Sequence, residues 1–197
     1  MMKIGVVAVQ GAFREHQRML NQLGVDTIEI KRSQHLENLN GIVLPGGEST
    51  SIGKLMREYG LIEPIREMVQ QGTPIFGTCA GMIVMAKTIS SGEEPHLAVM
   101  DVTVSRNSFG RQKDSFEADL DMDVIGSTPF PAVFIRAPHI ESVGENVRVL
   151  SRYQGRIVAV QEKHCLAISF HPELTDDSRI HQYFLEKIVQ PSLQTVR

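Results

Sequence analysis

The chain of 197 residues has the length of one domain with its own core, since domains commonly run to ~100–200 residues. Lys and Arg number 20 against 23 Asp and Glu, a formal net charge of −3 with no concentrated basic segment, which argues against nucleic acid as a partner because phosphate demands a basic face. Hydrophobic residues at 42% and charged residues at 22% exclude disorder as the main state. No stretch reaches the ~20 apolar residues of a membrane span, so no membrane partner is expected.

The apolar run from Lys3 to Val9 leads through Gln10-Gly11-Ala12 directly into an amphipathic segment. Counted from Met1, the run has Lys3 inside it rather than ahead of it and no small-residue cleavage site after it, unlike a secretory signal, and residues 3 to 9 read as a first strand buried on both faces. Phe13, His16, Met19, Leu20 and Leu23 then recur at helical spacing, with Gly24 where a helix ends. Residues 26 to 30 and 42 to 44 read as the second and third strands, the latter stopping at Pro45-Gly46-Gly47. Helices are expected over 51 to 59 and 61 to 71, closed by Gly60 and Gly72. A short buried strand follows over 74 to 77, then a helix over 80 to 87.

This alternation predicts a parallel sheet with helices on its faces. The second half differs: residues 102 to 104, 115 to 120, 132 to 135, 147 to 153, 156 to 161 and 165 to 170 all read as strands. Turns at Gln154-Gly155 and Glu162-Lys163-His164 predict antiparallel pairs beside the parallel core. A last helix over 177 to 189 is expected to end before Pro191. With no repeat or linker, the chain reads as a single α/β domain over 1–197 with a mostly parallel central sheet.

Only Cys79 and Cys165 carry thiols, too few for a disulfide framework, so a reducing cytoplasm is expected. Cys79 lies in Phe76-Gly77-Thr78-Cys79-Ala80-Gly81, between strand and helix with a glycine two residues away on each side. That is the pattern of a nucleophile elbow: small neighbours let a strained turn close, the helix N-terminus favours thiolate, and the next N–H can donate to an oxyanion. The plainer reading is a buried cysteine in a glycine-rich turn. Of seven histidines, only His171 ends a core strand with a carboxylate close by, in Ser169-Phe170-His171-Pro172-Glu173. In extended backbone Glu173 falls on the same side as His171 and can orient the imidazole as a thiol's base.

Cys165, without a glycine turn, reads as a small core residue. The histidine and cysteine spacings offer no zinc site, and no metal or cofactor is expected. Leu44-Pro45-Gly46-Gly47-Glu48-Ser49-Thr50 lacks the features of a P-loop or dinucleotide loop. Two readings stand for it: a loop whose N–H groups face the nucleophile, or a turn in which Glu48 and Ser49 open a helix. Arg106 and Arg136 suit either a carboxylate clamp or a structural ion pair.

The order of Cys79, then His171 and Glu173 near the end of the chain, with Pro-Gly-Gly-Glu-Ser after the third strand, resembles the class I glutamine amidotransferases. Together with Gln10-Gly11-Ala12, Arg106 to Gln112, Ser115-Phe116-Glu117 and Phe134 to Pro138, it resembles more narrowly the glutaminase subunits of pyridoxal 5′-phosphate synthases, from residue 3 to about 190. The resemblance implies a flavodoxin-like fold of the class I amidotransferase type and hydrolysis of L-glutamine to glutamate and ammonia. It implies Cys79, His171 and Glu173 as catalytic triad and the N–H groups of Gly47 and Ala80 as oxyanion hole. Gln10, Gly47, Glu48, Ser49, Arg106, Ile135 and Arg136 take substrate-binding positions by the same resemblance. It further implies a separate barrel-shaped synthase subunit that receives the ammonia and switches on an otherwise nearly idle glutaminase. A free-standing cysteine hydrolase such as a γ-glutamyl peptidase would share the triad without needing the Arg106 to Gln112 segment. A silent binding subunit would need neither.

Overall fold

Alternate residues of the central strands feed two different cores. In strand β3 (Gly41–Leu44), Ile42 and Leu44 join one apolar cluster and Val43 the other, and in β4 (Ile75–Thr78) Ile75 and Phe76 divide in the same way. This period of two is what a sheet covered on both faces requires. The computed structural model describes residues 1–110 and 114–195.

Strands β1 (Lys3–Val7), β2 (Asp26–Ile30), β3, β4 and β12 (Cys165–Ile168) form the parallel part of the sheet, in the order β2-β1-β3-β4-β12. Beyond β12 the sheet continues through antiparallel β11 (Arg156–Glu162), β9 (His139–Val143) and β6 (Met100–Ser105) to β5 (Ala86–Ile89), and β10 (Arg148–Tyr153) pairs with β11. A separate two-stranded ribbon pairs β7 (Ser115–Leu120) with β8 (Phe130–Ile135).

On one face, α2 (Ser49–Glu58), α3 (Ile62–Gln70) and α4 (Ala80–Met85) contribute Ile52, Met56, Ile65, Val69 and Met82 to the core. On the other, Leu20 of α1 (Phe13–Gln22) packs with Phe184 and Ile188 of the C-terminal helical segment. The functional consequence is positional. Strands β1, β3, β4 and β12 all release their C-terminal ends on the same edge, where ligands bind in open α/β sheets.

Three expectations are corrected. The helix predicted over 80 to 87 stops at Met85, and Ala86 to Ile89 instead form β5, parallel to β6. Ala86 and Ile89 are buried while Lys87 and Thr88 face outward, a pattern too short to separate from the helical run before it. Strand β9 was not expected, because Ile140 is its only fully buried side chain.

The last helix also fails to end before Pro191. It runs as α5 (Arg179–Tyr183), a π-helical stretch Phe184–Val189, and α6 (Gln190–Gln194) with Pro191 in the first turn. A proline lacks the N–H and crowds the preceding carbonyls. The wider π turn ahead of it supplies room, and the first turn of α6 does not need the missing donor. Other element ends differ from expectation by a residue or two.

Candidate active site

Cys79 joins β4 to α4 with φ 51° and ψ −110°, a left-handed conformation that non-glycine residues rarely hold. Its N–H is fixed by the Ile168 carbonyl at 2.9 Å. The flanking glycines are required by contact. A Cβ on Gly77 would meet Met85 Sδ at 2.5 Å and the Gly81 backbone at 2.7 Å, and one on Gly81 would collide with the Leu44 carbonyl. The elbow reading of the sequence thus has a steric basis: β4, α4 and β3 approach too closely for side chains.

His171 follows β12, and its N–H donates to the Val133 carbonyl at 2.8 Å. Its Nδ1 lies 2.6 Å from Glu173 Oε1, and Glu173 is fully buried. The expected extended link between them is corrected to a 3₁₀ turn over Pro172–Leu174. Proline at its start leaves no donor wanting, and the tight turn brings the carboxylate back onto the ring.

Burial opposes a charge on His171, but its hydrogen bonds with Cys79 and Glu173 and their negative charges outweigh that and raise it from 6.5 to about 10. The raised imidazole neighbours the Cys79 sulfur, which also lies 3.8 Å from the Ile135 carbonyl. Cys165 stands in contrast: burial first, and Glu162 second, push its thiol up to about 12.

The helix-opening reading of the Pro45–Thr50 loop holds. Glu48 caps α2, its carboxylate accepting from the N–H groups of Thr50 at 3.0 Å and Ser51 at 2.7 Å. Partial burial pushes the Glu48 carboxyl up, yet the bonds from Ser51 and Thr50 hold it down at about 2. The same loop also lines a cavity of about 430 Å³ shared with Cys79, Ala80 and His171. Gln10 Oε1 accepts the N–H of Glu48 at 3.0 Å, and a Cβ on Gly47 would collide with that oxygen. The Gly46 carbonyl accepts from Ala12 N–H at 3.1 Å, so the trans peptide turns the Gly47 N–H to the side away from Ala12.

Every predicted substrate position (Gln10, Gly47, Glu48, Ser49, Arg106, Ile135 and Arg136) lines this cavity, joined by Ile83, Asn107 and Pro138. Glu173 does not; it stands behind His171. The two arginines separate. Arg106 is held by Glu93 at 2.7 Å, by Thr50 at 3.0 Å and, more loosely, by Glu48 at 3.6 Å. Arg136, itself at φ 40°, has no carboxylate partner among the described residues. Arg111 and Gln112 of the sequence motif lie outside the described residues.

Sequence reasoning missed His16, His181 and Thr78, which stand behind Glu173. His16 sat in plain view within the apolar stripe of α1; a polar residue in such a stripe was the signal. Among the described residues no group of three or more His, Cys, Asp or Glu could hold a metal ion. No described helix is long and apolar enough to cross a membrane.

Residues 6–190 match the SNO glutamine amidotransferase family. A protein of Niallia circulans named pyridoxal 5′-phosphate synthase subunit PdxT is 56% identical over 187 residues, 95% of this chain and 98% of its own. One of the same name from Pelotomaculum thermopropionicum is 53% identical over 189 residues, 96% of each chain. Among solved structures, one described as a glutamine amidotransferase superposes with a TM-score of 0.90 at 48% identity, covering 95% of this chain and 98% of that one. A structure of PurLQS from Thermotoga maritima shares the fold, with a TM-score of 0.72 at 16% identity over 94% of this chain and 98% of that one.

Proposed function

We propose, on the premise that the chain belongs to the SNO glutamine amidotransferase family, that it hydrolyses L-glutamine to L-glutamate and ammonia through a glutamyl thioester on Cys79. The observation that carries this reading is that a strained Cys79 and His171 open on one cavity while the buried carboxylate of Glu173 backs the imidazole at 2.6 Å. The Cys79 thiolate attacks the side-chain carboxamide carbon. Negative charge gathers on the carboxamide oxygen, where the N–H groups of Gly47 and Ala80 are the donors.

The His171 imidazolium then gives its proton to the departing nitrogen, and ammonia leaves as the thioester forms. Water attacks that thioester, His171 taking its proton, and glutamate is released with the thiolate restored. Glu173 holds Nδ1 of His171 throughout, so Nε2 is the nitrogen that exchanges protons with sulfur and substrate. Arg136 is the guanidinium for the substrate α-carboxylate, since it has no competing carboxylate. Glu48 offers a persistent negative charge for the α-ammonium group.

The relatives named as synthase subunits support a second chain as the acceptor of ammonia. That acceptor is the barrel subunit of pyridoxal 5′-phosphate synthase, and its docking completes the aim of the oxyanion donors. The test is to measure glutamate and ammonia from glutamine with and without the barrel subunit. The reading expects equimolar products and a many-fold rise on mixing. Full activity of the isolated chain at ordinary glutamine concentration favours the free-standing hydrolase instead.

A further inference from the structure

The catalytic carboxylate has a second neighbour that the triad does not use. One oxygen of Glu173 faces His171, and the other lies 3.6 Å from Nε2 of His16, a residue of α1 with no solvent exposure. His16 Nε2 is also 3.1 Å from Thr78 Oγ1, the residue that precedes the nucleophile, and His16 Nδ1 is 2.8 Å from Nε2 of His181 on α5. His181 is equally buried, edge-on to Phe76 at 5.5 Å between ring centres, and its Nδ1 has no hydrogen-bond partner among the described residues. Two imidazoles thus occupy a place that apolar side chains would fill at lower cost in desolvation.

The distances select one proton arrangement. Burial first, then the neighbouring His181 and His171 rings, keep His16 well below the ordinary histidine range, and burial takes His181 down to about 3, so both rings are neutral. A neutral imidazole has one donor and one acceptor nitrogen. If His16 donated from Nδ1 to His181, His181 would be left with a buried N–H pointing at nothing, and the lone pair of His16 would face the Glu173 carboxylate. If instead His181 Nε2–H donates to His16 Nδ1, His16 Nε2–H points at Thr78 and Glu173, and only an acceptor at His181 Nδ1 goes unused. An orphaned donor is the worse defect. The second arrangement aligns both N–H dipoles toward the catalytic carboxylate.

We infer that His16, backed by His181, is a positioning residue: its Nε2–H dipole and its bond to Thr78 hold Glu173 and the strand end carrying Cys79 in one geometry. At 3.6 Å the N–H acts on Glu173 as a near dipole rather than through a hydrogen bond of its own, and it acts in a dry interior where such a dipole counts. The titratable groups facing this unit are His171, Glu173, His16 and His181 themselves. The inference rests on the triad reading of Cys79, His171 and Glu173.

Nitrogen NMR of ¹⁵N-histidine-labelled protein tests the unit without mutation. It should show His16 and His181 as neutral Nε2–H tautomers through pH 5 to 9; an Nδ1–H tautomer of His16 overturns the inference. Kinetics of the complex with the barrel subunit supply the functional arm. The His16→Leu variant should lose on the order of tenfold or more in kcat with KM little changed, the mark of an interaction spent on the chemical step. Its His171 titration midpoint should fall, and His16→Gln, whose amide N–H can replace Nε2–H, should recover much of both.

A folded His16→Leu variant with normal kcat and His171 midpoint overturns it. If that variant does not fold, His181→Leu takes its place with the same two readouts, and the tautomers decide regardless. Wild-type complex that releases no ammonia at all would instead defeat the function proposed above, which the tautomer result leaves untouched.

Discussion

Gly46 and His171 occupy adjoining space so tightly that a Cβ on Gly46 would sit 2.5 Å from Cε1 of the imidazole and 3.3 Å from Cβ of Cys79. The glycine is where it is because the loop after β3 passes against His171 and Cys79. Gly46→Ala should therefore push the ring off its line to sulfur. A displacement of about 1 Å can cost ~100-fold in rate, so kcat in the complex should fall on that order. Stability should drop by about 1–3 kcal/mol from overpacking, read as a shift in the denaturant midpoint.

The two thiols should differ sharply toward an alkylating agent. Both are buried, but Cys79 opens on the cavity beside His171, whose imidazole is raised to about 10, whereas burial pushes the Cys165 thiol up to about 12. Peptide mapping after limited treatment at pH 7 should find modification on Cys79 and none on Cys165. Cys165→Ala should retain glutaminase activity and lose about 1 kcal/mol of stability for the buried sulfur.

The state of His171 sets the pH behaviour. Its folded value is raised, from 6.5 to about 10, so the stability it contributes is fully present below about pH 6.5 and lost as pH rises through 10. NMR titration of the ring should show it protonated through neutral pH in the wild type. In Cys79→Ala the midpoint should fall, because the sulfur's hydrogen bond and charge are among the causes of the rise. An unchanged midpoint would mean that the sulfur does not pair with this ring.

The two arginines should separate in kinetics as they do in space. Arg136→Ala should raise KM for glutamine by about tenfold or more, the order expected for a lost charge-assisted bond. Arg106 is bound to Glu93 and Thr50, so Arg106→Ala should disturb the Glu48 loop and affect kcat as well as KM. The measurement is the full steady-state profile of each variant in the complex.

Much of this site was legible because it depends on strand ends. Cys79, Gly47 and His171 each follow an apolar run, and glycine marks where the backbone must pass another backbone at close range. The parallel core was legible for the same reason: β1, β3, β4 and β12 are mostly apolar runs, while only the edge strand β2 mixes Asp26, Thr27 and Glu29 with its isoleucines. What could not be read depends on contacts distant in sequence. His16, Glu173 and His181 meet only after α1, the 3₁₀ turn and α5 have packed. Strand β9 buries one side chain fully and owes its existence to neighbours, not to pattern. The π-helical passage before Pro191 compensates for a local rule that, taken alone, ends the helix.

The central claim is that Cys79 carries the glutamyl group. The direct measurement is to add glutamine with a labelled carbon chain to the complex, quench in acid during turnover and map where label stays covalently attached. The account predicts label on the peptide holding Cys79, sensitive to hydroxylamine, and none in Cys79→Ser. Steady ammonia release with no labelled Cys79, or with the label on another residue, would contradict it.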